Sequence, residues 1–387
     1  MDILPDTFTQ RLDQVMAHLA DQDYDLAFRR LLDTVKDTQN LDRYRDAIHL
    51  TDWYHHHQDR NDEFLQRSYG LIEKLRKEEV VPIQRNKAIL SARKITKRYR
   101  RSNFRLGPVT LDIHQAKIYG LVGENGNGKT TLLRLLAREL EISTGNLDFN
   151  FDTPVTTDYD LKTKLVYIPQ RTATWYGSLM DNLKFVLSTH GIPAGEIEPR
   201  VLLIIARLGL WKYRKLKWSE LSSGYKMRFE LARTLLRQPE VMLLDEPLAN
   251  LDVLAQQVIL EDLKNIANSL THPIALVLSS QQLYEVEKVS DEVIYLKDGA
   301  YTDNNLDRED ASRQLIVEVE SSSGKSEIDD AFKELAPSRI TYNGGVYVAY
   351  FDNLTQFSQV LTALGDSKIN VTYLRDISGS TRRFFVS

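Results

Sequence analysis

Residues 123–131 read Gly-Glu-Asn-Gly-Asn-Gly-Lys-Thr-Thr, between an apolar run, Ile118-Tyr119-Gly120-Leu121-Val122, and an amphipathic stretch, Leu132 to Leu140. No other feature restricts the fold as tightly, because G-x-x-x-x-G-K-T works only as a strand, a tight loop and a helix in that order. Successive backbone N–H groups must curl around a polyanion. Side chains would obstruct the bends, so glycines occupy them. A helix starting near Gly128 adds the positive end of its dipole. Lys129 supplies a charge for β- and γ-phosphates, and the Thr130 hydroxyl is a ligand for Mg²⁺. The pattern implies a site for a nucleoside triphosphate.

Further along, Val241-Met242-Leu243-Leu244-Asp245-Glu246-Pro247 reads as a buried strand ending in two carboxylates. Asp245 at the strand tip can hold Mg²⁺ through its water. Glu246, one residue on, would polarise a water in line with the γ-phosphate as general base. Upstream, Leu221-Ser222-Ser223-Gly224-Tyr225-Lys226-Met227-Arg228 opens a helix that runs through Glu230, Ala232, Arg233 and Leu236. A serine and a glycine there make a second anion-binding helix end. Two such ends in one chain suggest that a second chain completes each site.

With these residues in view, residues 86–305 resemble the nucleotide-binding domain of ATP-binding cassette proteins. Tyr99 stands where the family places an aromatic that stacks on adenine. Tyr167-Ile168-Pro169-Gln170 resembles the Q-loop, whose glutamine touches Mg²⁺ and couples the site to a transmembrane partner. Residues 221–225 resemble the signature Leu-Ser-Gly-Gly-Gln, Leu248-Ala249-Asn250-Leu251-Asp252 the D-loop, and residues 291–299 the strand and turn that close the domain.

The resemblance implies an α/β P-loop ATPase domain with a mixed sheet core, an antiparallel β subdomain and a helical subdomain. It implies ATP and Mg²⁺ as cofactors, and a head-to-tail homodimer around two Mg-ATP. Catalysis would fall to Glu246, Gln170, Gln281 and Lys129, and the metal to Thr130, Gln170 and Asp245. Nucleotide contacts would come from Tyr99, Asn125, Gly126, Asn127, Gly128, Lys129, Thr130 and Thr131, with Ser222 and Gly224 supplied by the other copy.

Two departures bear on mechanism. The signature has Ser223 where the family usually has glycine, and Tyr225 where it usually has glutamine. A Cβ at 223 crowds backbone meant to approach the γ-phosphate unless its dihedrals suit a non-glycine residue. Gln281, in Ser279-Ser280-Gln281-Gln282, stands where the family usually has a switch histidine. Glutamine donates a hydrogen bond but carries no proton or charge near neutral pH. Hydrolysis is expected to be slow, not absent, because Glu246 is intact.

The flanks read differently. Residues 1–84 keep helical spacing (Phe8, Leu12, Val15, Leu19; Phe28, Leu31, Leu32, Val35) with breaks near 21–23, 38–40 and 59–62, which predicts four antiparallel helices. This all-α segment is either a partner-binding module or a structural appendage. Its His55-His56-His57 run reads as a polar helix end, since adjacent helical side chains diverge by about 100°. Residues 85–105 hold nine basic residues and no acid, but overlap a strand pattern from Ala88 to Ile95.

Residues 313–387 read as strand, helix, hairpin, helix and strand, a ferredoxin-like α+β order, with a last strand at Arg383–Val386. Asn343-Gly344-Gly345 is the hairpin turn. A regulatory or dimerising role suits this segment best.

A net charge of −4 gives no global drive toward nucleic acid, and none is expected as a direct partner. The chain has no cysteine, which excludes thiol catalysis and thiolate–metal sites. No window reaches the length of a spanning helix, and the acidic amino terminus lacks the parts of a signal peptide. The expected location is cytoplasmic, peripheral on the cytoplasmic face of the plasma membrane.

The reading that follows is the ATP-hydrolysing subunit of an exporter-type transporter whose transmembrane permease is a separate polypeptide. Residues 170–221 would receive that partner, with Trp175 to Leu183 as a docking surface. The alternatives are a soluble ATP-driven clamp acting on nucleic acid, ribosomes or a protein assembly, and a weakly hydrolysing ATP-binding switch.

Overall fold

The structure, a computed structural model, describes residues 7–83, 87–100, 104–249, 251–281, 286–302, 314–343, 345–352 and 354–378. Four helices come first: α1 (Phe8–Ala20), α2 (Tyr24–Asp37), α3 (Leu41–His56) and α4 (Asn61–Leu75). The starts of the first three are set by side chains that accept from orphan amides. Thr7 and Gln10 form a capping box, Asp23 caps α2, and Asn40 caps α3.

The apolar stripes of these helices do not form a core of their own. Leu12, Leu31, Phe64 and Leu75 belong to one continuous cluster with Ile205, Leu231 and Leu263 of the following segment. Ions line the seam. Buried Arg207 pairs with Asp33, and Arg29 and Arg30 approach Glu261 at 3.0 and 3.4 Å. Buried Asp37 accepts from Ser269 Oγ at 2.6 Å and from the Leu270 amide at 3.2 Å.

Next come β1 (Ala88–Arg98), β2 (Arg105–His114), β3 (Ile118–Val122), α5 (Lys129–Leu136), β4 (Thr144–Phe149), α6 (Asp158–Lys164) and β5 (Leu165–Ile168). After these lie α7 (Leu179–Thr189), α8 (Ala194–Arg207), α9 (Ser223–Leu235), β6 (Val241–Leu244), α10 (Val253–Ala267), β7 (Ala275–Ser280), β8 (Glu292–Lys297) and β9 (Ala300–Thr302). Strands β2-β1-β4 make an antiparallel sheet. The main sheet is ordered β5-β6-β7-β3-β8-β9, parallel except for β9, and is therefore mixed. Every residue of β3, β6 and β7 is buried, as expected of parallel strands covered on both faces. Helices α7 to α9 pack together, and α2 and α3 lie on α8.

The last unit runs β10 (Gln314–Ser321), α11 (Lys325–Ala331), β11 (Arg339–Asn343), β12 (Val346–Asp352), α12 (Phe357–Asp366) and β13 (Val371–Asp376). Its sheet is ordered β11-β12-β10-β13 with every pair antiparallel. Val317, Phe332, Phe351 and Val360 fill its core. Arg375 on β13 reaches Glu287 at 3.2 Å, so the unit touches the segment after Gln281. The strand expected at 383–386, and Gly344 of the hairpin turn, lie outside the described residues.

The histidine run diverges, as its spacing requires. His55 stacks on Trp211, His57 on Trp53, and His56 Nδ1 lies 2.7 Å from the Asp52 carbonyl. Members of the basic run find local partners: Lys87 with Asp152, Arg93 with Asp112, and Lys97 with the Glu141 carbonyl. Arg85 and Arg101 lie outside the described residues.

Candidate active site

The carboxyl ends of β3, β5, β6 and β7 lie side by side in the main sheet, and each delivers one part of the site. From β3 the chain enters the glycine loop. Gly123, Gly126 and Gly128 all have positive φ, at 154°, 86° and 99°. A Cβ at Gly128 would stand 2.7 Å from the Phe104 ring, so this bend admits glycine alone. A Cβ at Gly126 would meet nothing within 4 Å, and that bend is open to an approaching ligand.

The first amide bond into α5 runs from Leu132 N to Gly128 O at 2.8 Å, which leaves the preceding amides over, as at any helix start. Lys129 is buried, and its Nζ donates to the carbonyls of Gly123 at 2.7 Å and Glu124 at 3.2 Å. Burial lowers its pKa, against the opposing pull of Glu246 and Asp245. Asn125 on the loop and Thr130 in the first turn of α5 are exposed. Tyr99 is 37% exposed, with its hydroxyl 3.5 Å from Thr131 Oγ1, so the sequence-predicted aromatic lies beside the loop.

Asn127 behaves differently. Its side chain is buried and tied to the turn after β8, donating to the Leu296 carbonyl at 3.2 Å and accepting from the Asp298 amide at 3.2 Å. Its amide donates to the Glu124 carbonyl at 3.3 Å, so Asn127 acts within the loop to hold its shape.

At the tip of β6, Asp245 is buried between two hydroxyl donors. Tyr167 of β5 donates to Oδ2 at 3.0 Å, and Ser279 of β7 donates to Oδ1 at 2.8 Å. Burial, then Asp245, holds the Tyr167 phenol far above its usual range, so it remains a donor. Ser279 Oγ also accepts from the Glu246 amide at 2.9 Å, and so fixes both carboxylate residues at once.

Glu246 sits in the left-handed region at φ 48°, which for a non-glycine residue costs about 1–2 kcal/mol and re-aims the side chain. Its carboxylate accepts from Gln170 Nε2 on Oε2 and from Gln281 Nε2 on Oε1, each at 2.8 Å, while Lys129 Nζ stands 3.9 Å from Oε1. The four residues assigned catalytic roles from sequence therefore meet around one carboxylate.

Ser222 and Gly224 are placed apart from this group. Ser222 precedes α9 and is exposed, and the nearest atoms to a Cβ at Gly224 would be Ala255 at 3.7 Å and Leu251 at 3.8 Å. Ser223 is the first residue of α9 and is not among the positive-φ residues, so its Cβ brings no backbone strain. Tyr225 turns into the helical segment, where its ring lies 3.9 Å from that of Tyr213 and its hydroxyl accepts from Tyr213 at 2.8 Å.

Trp175 is packed, donating to Glu230 at 2.7 Å under Arg233, whereas Tyr176 is 88% exposed. Asn250 of the D-loop and Gln282 lie outside the described residues.

Sequence reasoning missed Ser279. The only signal was a serine directly after an apolar strand run, Ala275-Leu276-Val277-Leu278. Replacing it with alanine would strip a donor from buried Asp245 and an acceptor from the Glu246 amide. Ser279→Ala is expected to cost about 1–3 kcal/mol of stability and to lower kcat, read by urea unfolding and phosphate release. Wild-type values for both would show that Ser279 does not fix the pair.

A glycine loop wrapped on a lysine, with an Asp-Glu pair at the tip of the strand one removed from it in the sheet, defines a P-loop nucleoside triphosphatase. The ABC transporter family matches residues 106–249. The molybdate/tungstate import ATP-binding protein WtpC of Thermococcus kodakarensis is 31% identical over 67% of this chain and 77% of its own length. The phosphate import ATP-binding protein PstB of Saccharolobus solfataricus is 31% identical over 50% of this chain and 79% of its own length. Among solved structures, cbiO1 of Clostridium perfringens, part of the ABC transporter complex cbiONQ, superposes with a TM-score of 0.51 at 22% identity. That match covers 59% of this chain and 94% of cbiO1, and it speaks for the fold. The chain belongs to the ABC transporter family of ATP-binding proteins and is an ATPase.

Proposed function

We propose that this chain is the energy-coupling subunit of a membrane transporter, closing head-to-tail with a second copy around two ATP and driving a separate transmembrane polypeptide. The observation that carries the reading is the convergence of Lys129, Gln170 and Gln281 on the Glu246 carboxylate beside an open glycine loop. The loop amides and Lys129 would bind the phosphates, and Tyr99 the adenine. Thr130, Gln170 and Asp245 are the residues that would hold Mg²⁺, which when bound neutralises phosphate charge. Glu246 is the base that takes the proton of the attacking water, and Gln170 and Gln281 hold its carboxylate in place.

Two surface features support the assembly. Ser222 and Ser223 are exposed at the start of α9, and Val253 and Leu254 are 64% and 74% exposed just after the D-loop. These groups suit a second copy. Tyr176 and Phe185, 88% and 65% exposed on the helical segment, suit a membrane-side partner. No helix among the described residues is long and apolar enough to cross a membrane.

WtpC and PstB are import subunits by name, so the exporter-type assignment has no support in them, and cargo and direction are left to the permease. Helices α1–α4 are read as an all-α accessory segment that shares its core with the cassette over residues 86–305, and the β10–β13 unit as a ferredoxin-like accessory domain.

Gln281 tunes the rate. A histidine there would place a charged donor where a neutral amide now stands, and charge-assisted bonds are about twice as strong. Gln281→His is expected to raise kcat about tenfold, a difference of about 1.4 kcal/mol in the barrier. A lower or unchanged kcat would show that the glutamine is not what slows the site.

The transporter assignment is tested by capturing tagged Glu246→Gln protein from detergent-solubilised native membranes with Mg-ATP, read by mass spectrometry. Co-purification of a polytopic membrane protein in comparable amount supports it. Recovery of ribosomal or assembly proteins in its place sinks it in favour of a soluble clamp.

A further inference from the structure

A cavity of about 600 Å³ lies at the other end of the main sheet, within the range of small-molecule pockets. Its walls include Glu240 and Pro273, which precede β6 and β7, whereas Asp245 and Gln281 follow those strands. At about 3.3 Å per residue, β6 alone sets the two ends roughly 13 Å apart. The walls come from α6, the end of α7, the loops before β6 and β7, and Ile83. Ile83 belongs to the connector from the amino-terminal helices, and its amide donates to the Leu270 carbonyl at 2.9 Å.

The walls carry two acids and two bases, but one of the bases is left without an acid because Lys87, from outside the cavity, takes Asp152. Lys164 pairs with Glu240 at 3.2 Å, and Asp152 with Lys87 at 3.0 Å. Arg237 has no carboxylate partner among the described residues. One of its terminal nitrogens donates to the Lys162 carbonyl, while its Nε is buried with no partner in the protein. Burial, reinforced by Arg233, disfavours its charged form. A half-buried guanidinium with its Nε buried and no counter-ion is a ready anion site, and a planar oxyanion is its natural complement.

Three other polar atoms of the lining are also buried without a partner: His190 Nε2, Thr271 Oγ1 and His272 Nδ1. The His272 ring is pushed down to about 4, first by burial and then by Lys36, Lys164 and Arg200, with Asp152 alone opposing. At neutral pH it is therefore uncharged, and the surrounding field is positive. Ile192 and Leu236 add apolar wall.

We propose that this cavity binds a small organic oxyanion, a carboxylate or a phosphate ester, anchored by Arg237 and contacted by Thr271 and His272, with the His190 ring in the wall beside it. The site is separate from the nucleotide site, so the two are tested independently. It joins the helical segment, the sheet and the amino-terminal connector, and a bound anion would fasten these parts together.

The test uses the full chain with ADP saturating the glycine loop and isotope-labelled histidines, titrated with benzoate and with phenyl phosphate. With eight histidines in the chain, the imidazole NMR spectrum is simple to assign by substitution. The His190 and His272 signals are expected to shift saturably with at least one probe. Arg237→Ala should abolish the shift and Arg237→Lys retain it in part. A response to benzoate alone assigns a carboxylate, and a response to phenyl phosphate alone a phosphate ester. Should Arg237→Ala fail to fold, Thr271→Val must weaken binding severalfold. No saturable shift with either probe, or the same shift in the variants, overturns the site.

Discussion

Glu246→Gln is expected to lower kcat by about 10²–10⁴-fold, the usual worth of a positioned general base, while ATP still binds. The substitution keeps the shape of the side chain. Both Gln170 and Gln281 now donate Nε2 to the carboxylate. A glutamine at 246 offers one oxygen and one amide nitrogen, so one neighbour turns its amide over and accepts where it had donated. The geometry survives and the base is lost. Single-turnover phosphate release beside equilibrium ATP binding separates the two effects. Hydrolysis within a few-fold of wild type would place the base elsewhere.

Lys129→Ala is expected to act one step earlier. Hydrogen bonds to charged groups are worth about 1.5–3 kcal/mol each, so ATP affinity should fall by roughly 10–150-fold or more. Lys129 also ties the loop through the Gly123 and Glu124 carbonyls and stands 3.9 Å from Glu246. Its removal leaves buried Asp245 and nearby Glu246 without that cation, and the loop should loosen as well. Titration with a fluorescent ATP analogue reads the affinity, and a thermal melt confirms that the chain remains folded. Wild-type affinity in a folded variant would mean that the glycine loop is not where the triphosphate sits.

How much of this was legible in the sequence depends on the kind of constraint. The glycine loop was legible because three bends need positive φ and the lysine lies at fixed spacing from them. The Asp245–Glu246 pair was legible as polarity at the end of an apolar run, and the helix breaks at 21–23 and 38–40 as caps.

Three features were not. Ser279 looks like any serine in a strand, and its bonds to Asp245 and Glu246 exist only because β6 and β7 are neighbours. Asn127 shares the loop with exposed residues such as Asn125, yet its side chain is spent on the turn after β8, 171 positions away at Asp298. The amphipathic faces of α1–α4 show that something covers them. That the cover includes α8 and α10 follows from packing and from pairs such as Arg207–Asp33, which no periodicity encodes. The worry about a Cβ at Ser223 is resolved by its place in the first turn of α9.

The central claim is that each ATP is held between two copies, with Ser222 and Gly224 of one completing the site of the other. Sedimentation of Glu246→Gln protein with and without Mg-ATP tests it most directly. The account predicts a 44.6 kDa species without nucleotide and twice that mass with it, the shift being lost in the Glu246→Gln, Lys129→Ala double variant. A chain that binds ATP and stays at monomer mass would contradict it.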